Sequence, residues 1–202
     1  SNILVYGQTG TGKTAIAKFI CKQLKEKAEN ENVKIHTAYI NCKQTNTPYG
    51  VLTNIGKSYS NEWEKQIPSA GWRIDKVYSS LKEKADENGG IAIVILDEID
   101  SLVSKNGDEI LYHLTGLNSD LDNSKISIIG ISNDAKFTSW LDPRVKSRLG
   151  EESLTFSPYN APQIEDILVQ RARMAFKDNT VDPMVMTYCA SKAAQEHGDA
   201  RK

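Results

Sequence analysis

Eight residues, Gly7-Gln8-Thr9-Gly10-Thr11-Gly12-Lys13-Thr14, restrict the fold more than any other stretch of this sequence. They follow a short apolar run, Ile3 to Tyr6, and open a segment in which Ala15, Ile16, Phe19, Ile20, Leu24 and Ala28 recur at helical spacing. The pattern G-x-x-x-x-G-K-T between a strand and a helix has a mechanical meaning: glycines let the backbone curl so that successive N–H groups point at phosphate oxygens. The positive end of the following helix dipole adds to that attraction. Lys13 is then expected to reach the β- and γ-phosphates of ATP, or the β-phosphate of ADP, and the Thr14 hydroxyl to ligate magnesium. A turn that merely satisfies a helix N-terminus is the plainer alternative, and the complete motif in its complete context weighs against it.

The rest of the chain alternates in the same way. Val33 to Ile40 reads as a second strand, and Thr47 to Tyr59 as a helix carrying Val51, Leu52 and Ile55. After a polar connector from Ser60 to Gly71, a helix marked by Ile74, Val77, Tyr78, Leu81 and Ala85 closes at Asn88-Gly89-Gly90, where glycine suits a left-handed cap. Ile91 to Leu96 is apolar on both faces, as an inner strand of a covered parallel sheet must be. Ile110, Leu111, Leu114, Leu117 and Leu121 predict a helix, Ile126 to Ile131 a buried strand, and Ser153 to Phe156 a short last one. Strands separated by helical sequence predict an α/β fold: a phosphate-loop nucleotide hydrolase with a five-stranded parallel sheet flanked by helices.

Beyond Ser157-Pro158 the strands stop. Asn160, with Gln163 three residues on, is expected to cap a helix bearing Ile164, Ile167, Leu168, Ala172, Ala175 and Phe176. Asp182-Pro183 should open another, with Val185, Met186, Cys189, Ala190 and Ala193 inward. The expected division is an α/β nucleotide-binding domain over 1–157 and a small, incomplete helical lid over 158–202.

Two further stretches belong with the glycine loop. Ile91 to Leu96 delivers Asp97 and Glu98 at a strand's C-terminal end, where ligands of open α/β sheets bind. Asp97 is expected to hold magnesium and Glu98 to polarise the attacking water, with Asp100 in a supporting place. Asn133, just past the strand Ile126 to Ile131, can accept from and donate to a water or a phosphate oxygen if its strand lies between the other two. Opening a turn with Asp134 is its ordinary alternative. Arg144, Lys146 and Arg148 form a cationic run that spacing leaves open between a solvated face and an arginine offered in trans to a neighbouring subunit's nucleotide.

Composition excludes some classes. Lys plus Arg number 25 against 26 Asp plus Glu, for a net charge of -1 over 202 residues. That argues against binding nucleic acid by bulk charge, though not against a local patch. The longest apolar run, Ile91 to Leu96, falls far short of the roughly 20 residues of a membrane span, and no signal peptide is visible. Cys21, Cys42 and Cys189 are widely spaced and are expected to be reduced core thiols rather than metal ligands.

The glycine loop, Leu96-Asp97-Glu98-Ile99-Asp100, Ile131-Ser132-Asn133 and a terminal helical lid together resemble an AAA+ ATPase. Tyr39-Ile40-Asn41-Cys42, Thr47-Pro48-Tyr49, Leu141 to Leu149, Pro158-Tyr159-Asn160 and His197 to Lys202 are similar to the archaeal origin-recognition and cell-division-control replication initiators. That resemblance implies that Asn133 is the first sensor, Arg148 the finger acting in trans, Arg144 its companion cation, Tyr159 a nucleotide contact and Arg201 the lid's second sensor. It implies a slow ATPase that switches on nucleotide, cytoplasmic and nucleoid-associated, without a membrane partner. Duplex DNA at replication origins, other initiator subunits and the replicative helicase are the implied partners, with a winged-helix DNA reader expected beyond Lys202. The connector 57–76, with Lys57, Trp63, Lys65, Trp72, Arg73 and Lys76, lies near the family's DNA-gripping insertion, although Glu62, Glu64 and Asp75 dilute its charge and tryptophans are more often packing residues than wedges. A clamp-loader or branch-migration ATPase and a non-catalytic nucleotide-binding scaffold are the rival expectations.

Overall fold

The computed structural model describes residues 1–59, 67–68, 70–177 and 180–196. Strand β1 (Ile3–Gly7) runs into the glycine loop and helix α1 (Lys13–Asn30). Then come β2 (Ile35–Asn41), α2 (Pro48–Lys57), α3 (Ile74–Asn88), β3 (Gly90–Asp97), α4 (Ile99–Asn106), α5 (Glu109–Gly116), β4 (Ser124–Ser132), α6 (Pro143–Leu149) and β5 (Glu152–Phe156). Helices α7 (Ala161–Ala175) and α8 (Pro183–Glu196) follow.

The strands form one five-stranded sheet in the order β2-β3-β4-β1-β5. Pairing of β2 with β3, β3 with β4 and β4 with β1 is parallel. The inner strand β3, between β2 and β4, is buried from Ala92 to Asp97, as its unbroken apolar run requires. The core gathers Ile40, Val94, Leu96 and Ile128 of the sheet with Val51, Leu52 and Ile55 of α2, Val77 and Leu81 of α3, and Leu111 and Leu114 of α5. Caps fix the helix starts. The Thr47 side chain accepts from the Gly50 N–H ahead of α2, whose first residue is Pro48. Asp142 does the same for α6 through the Arg144 N–H.

The chain divides into two compact units: Ser1–Tyr6 with Thr14–Leu154, and Gly7–Lys13 with Thr155–Lys202. The first holds nearly all of the sheet and most of its covering helices. The second holds the glycine loop and the α7–α8 pair, in which Ile164 and Ala190 are buried.

Several expectations need correction. Helix α4 was not expected, because the acidic stretch hid the apolar triplet Ile99, Leu102 and Val103 that buries it. The helix expected to reach Leu121 ends at Gly116 and tightens into a 3-10 turn over Leu117–Ser119. Val33 lies outside β2 and is exposed. In α1 the buried line is Ala17, Cys21 and Ala28, while Ile16, Phe19, Ile20 and Leu24 are exposed among the described residues. The helix approaches its neighbours through its small side chains, which turns the expected stripe outward. Val185 and Cys189 are exposed on α8, so Cys189 is not a core thiol, whereas Cys21 and Cys42 are buried. Among the described residues no helix is long and apolar enough to cross a membrane.

Candidate nucleotide site

The loop is shaped by its glycines. Gly10 and Gly12 adopt φ of 83° and 84°, which L side chains resist. A Cβ on Gly12 would lie 2.8 Å from the Tyr159 hydroxyl, and one on Gly7 would collide with the Phe156 carbonyl oxygen. Tyr159 thus stands against the loop, beside Gly12. Within the loop the buried Thr11 hydroxyl donates to the Gln8 carbonyl at 2.8 Å. The Lys13 side chain is buried and folds back, its Nζ donating to the carbonyls of Gly7 and Gln8 at 2.7 Å each. The ammonium is therefore held over the loop by the loop's own backbone.

The acidic end is built by the sheet. Asp97 closes β3, opposite Ile131 of β4 on one side and Asn41 of β2 on the other. Its Oδ2 accepts from the Thr14 hydroxyl and from the Tyr39 hydroxyl, both at 2.9 Å. Its Oδ1 accepts from the Glu98 backbone N–H at 3.1 Å. Glu98 occupies a left-handed conformation, φ 53° and ψ 46°, at the start of α4. Such a position costs a non-glycine residue about 1–2 kcal/mol and is typical of functional sites. Asp100 accepts from the Ser132 hydroxyl at 2.9 Å, which ties α4 to the end of β4. Burial, and after it the charges of Asp97, Asp100 and Glu98, push the Cys42 thiol up to about 12.

Asn133 follows β4, and β4 lies between β1 and β3, so the adjacency its site role requires is present. Its side chain is exposed. Arg148 and Arg144 project from α6 with their guanidinium carbons 5.6 and 5.1 Å from the Tyr112 ring centroid. Arg144 also pairs with Asp142 at 3.0 Å and holds that carboxyl below its usual range by hydrogen bonding. Arg148 is exposed, and among the described residues it makes no ion pair with Glu151 or Glu152. Glu151 instead accepts from the Asn2 backbone at 3.0 Å. Arg201, with Trp63 and Lys65 of the connector, lies outside the described residues. Trp72 is half-buried, with the Lys76 ammonium 4.1 Å from its ring centroid, an attractive contact for an aromatic face.

Sequence reasoning missed Tyr39. Its spacing on β2 looks like any outward strand residue, and only the β2–β3 register shows that it reaches Asp97.

The donors suit magnesium. A hydroxyl and a carboxylate, both hard oxygens 2.9 Å apart, match an ion that takes one or two protein ligands and completes its shell with phosphate and water. Among the described residues no group of three or more His, Cys, Asp or Glu forms a metal cage, as such a site does not need one.

A wound parallel sheet, a glycine loop and a threonine–aspartate pair at the strand ends define a phosphate-loop nucleotide-binding protein. Residues 1–134 match the AAA domain family and residues 165–202 the Cdc6 AAA+ ATPase-type lid domain. Over its whole length the chain is 49% identical to ORC1-type DNA replication protein 1 of Methanosarcina mazei and 50% identical to the ORC1-type DNA replication protein of Pyrococcus furiosus. It spans 48% of each of those relatives. The solved Aeropyrum pernix ORC1 protein in complex with DNA matches all of this chain, and 51% of its own, at 42% identity with a TM-score of 0.88. The chain belongs to the AAA+ ATPases of the archaeal origin-recognition and cell-division-control initiator family.

Proposed function

We propose that this chain binds ATP with magnesium and hydrolyses it slowly, serving as the nucleotide-dependent switch of a DNA replication initiator. The observation that carries the reading is the Thr14–Asp97 hydrogen bond, which joins two motifs 83 residues apart at one point. Backbone amides of Gly7 to Gly12, with Gln8, Thr9 and Thr11 among them, and the Lys13 ammonium hold the phosphates; Thr14 and Asp97 hold magnesium. Magnesium when bound neutralises phosphate charge. Glu98 accepts the proton of the attacking water and Asn133 orients that water. Arg148 of one subunit serves the nucleotide of the next, while Tyr159 and Arg201 contact nucleotide from the lid. Residues 1–157 act as the nucleotide-binding domain and 158–202 as the lid, whose response to hydrolysis passes the signal on. Duplex DNA, other initiator subunits and the helicase are its partners in the cytoplasm. The Aeropyrum relative with DNA supports the first of these.

Two variants test the reading. Lys13→Ala should weaken ATP binding by about 100-fold or more, because charge-assisted contacts to phosphate are lost. Glu98→Gln should bind ATP normally while turnover falls at least about 100-fold. Equilibrium binding of a fluorescent nucleotide and phosphate release report the two separately, and wild-type behaviour in either variant overturns the assignment.

A further inference from the structure

Asp97 is restrained from three directions, and only one of the three partners is itself a proposed ion ligand. Thr14 is that ligand. The Glu98 N–H fixes Oδ1 from the backbone, and the Tyr39 hydroxyl shares Oδ2 with Thr14. When Thr14 turns from the carboxylate toward an ion, Tyr39 and the Glu98 N–H can both stay. The carboxylate then keeps its orientation without a new restraint having to form.

Tyr39 is placed for this by the sheet. It pairs in register with Ile95, two residues before Asp97, so the ring needs only a diagonal reach along the strand. Its hydroxyl end is held by the Asp97 contact and its face is covered by the Lys18 ammonium, 3.4 Å from the ring centroid. Lys18 stands one turn after Thr14 on α1, so a single helix supplies both the ligand and the cation that pins the tyrosine. A cation at that distance is an attractive contact for an aromatic face. Burial, reinforced by donation to Asp97 and by its charge, raises the Tyr39 hydroxyl above its ordinary range.

We infer that Tyr39, pinned by Lys18, is a positioning residue that holds the Asp97 carboxylate for magnesium, so that it sets the affinity for the ion rather than for the nucleotide. This rests on the magnesium role proposed for Thr14 and Asp97. Tyr39 acts through Asp97, to which its hydroxyl donates. Tyr39 is 41% exposed and is not among the core residues, so removing its hydroxyl leaves the core untouched.

The test is a titration of magnesium chloride into the full chain with a fluorescent ADP, following bound nucleotide rather than turnover. Tyr39→Phe keeps the ring under Lys18 and removes the hydroxyl. The magnesium midpoint should rise about tenfold, the scale of one hydrogen bond to a charged group, with nucleotide affinity in EDTA unchanged within about twofold. In an Asp97→Asn background the same substitution should have no further effect, which a merely structural role would not produce. An unchanged midpoint in Tyr39→Phe beside a shifted one in Asp97→Asn overturns this inference and leaves the site reading standing. Unchanged midpoints in both overturn the site reading and the inference with it. A Tyr39→Phe shift that persists in full on Asp97→Asn also overturns the inference.

Discussion

Cys42 shows how closely the acidic end of the site is packed. Its backbone N–H donates to the Asp97 carbonyl at 2.8 Å and its thiol is fully buried. With the thiol pushed up to about 12, the folded chain keeps a proton that the unfolded chain loses near 9.0. That contribution is therefore complete below about pH 9 and is lost as the pH rises toward the folded value. Thermal melts should fall steeply above pH 9, and Cys42→Ala should flatten that dependence; an equally steep fall in the variant refutes the assignment. At this scale the sequence was legible where a motif fixes chemistry. The placement of Thr14 beside Asp97, 2.9 Å apart, follows from spacing, because each belongs to a short local pattern next to a strand end. Tyr39 does not, because its role exists only across the β2–β3 ladder. The exposure of Cys189 was hidden too, since an apolar helix stripe in sequence does not say whether a partner surface covers it.

At the level of elements, capping chemistry was the most readable signal. Asn160 and Gln163 form the reciprocal box expected of them: the Asn160 side chain accepts from the Gln163 N–H, and the Gln163 side chain accepts from the Asn160 N–H, both at 3.0 Å. Asn160→Ala should lower the stability of the unit containing α7 by about 1 kcal/mol. Urea unfolding followed by the circular dichroism of the variant against wild type measures this, and an unshifted midpoint would count against the cap. Strands β3 and β4 were equally readable, being apolar on both faces. Helix α4 was not, because eight residues carry barely two turns of periodicity and begin directly behind two acids. The mis-set face of α1 has a related cause: alanine and cysteine compete poorly with isoleucine and phenylalanine in any hydrophobicity pattern, yet here the small residues are the buried ones.

For the molecule as a whole, the near balance of 25 cations and 26 acids conceals segregation, with Asp97, Glu98 and Asp100 in one turn and Arg144, Lys146 and Arg148 in another. The sheet unit is dense, with β3 and β4 largely buried, while α7 and α8 expose Met174, Met184 and Tyr188, and Phe176 is exposed at the end of α7. Native-state hydrogen exchange should therefore find the slowest amides in β3 and β4 and much faster ones in α7 and α8, by factors of about 100 or more. Equal protection in the two would contradict this. The sheet order has a further consequence, for how the chain is made. Strand β1 precedes β2 and β3 in the chain but pairs with β4, Ile3 opposite Ile129, while β2 and β3 can join as soon as residue 97 is available. The Asn2 side chain likewise waits for the Ile128 N–H, which it meets at 2.9 Å. During synthesis the first strand must stay unpaired until more than a hundred further residues have followed it. Non-local pairing of this kind is slow to form, because the loop between the partner strands must close before their contacts are made.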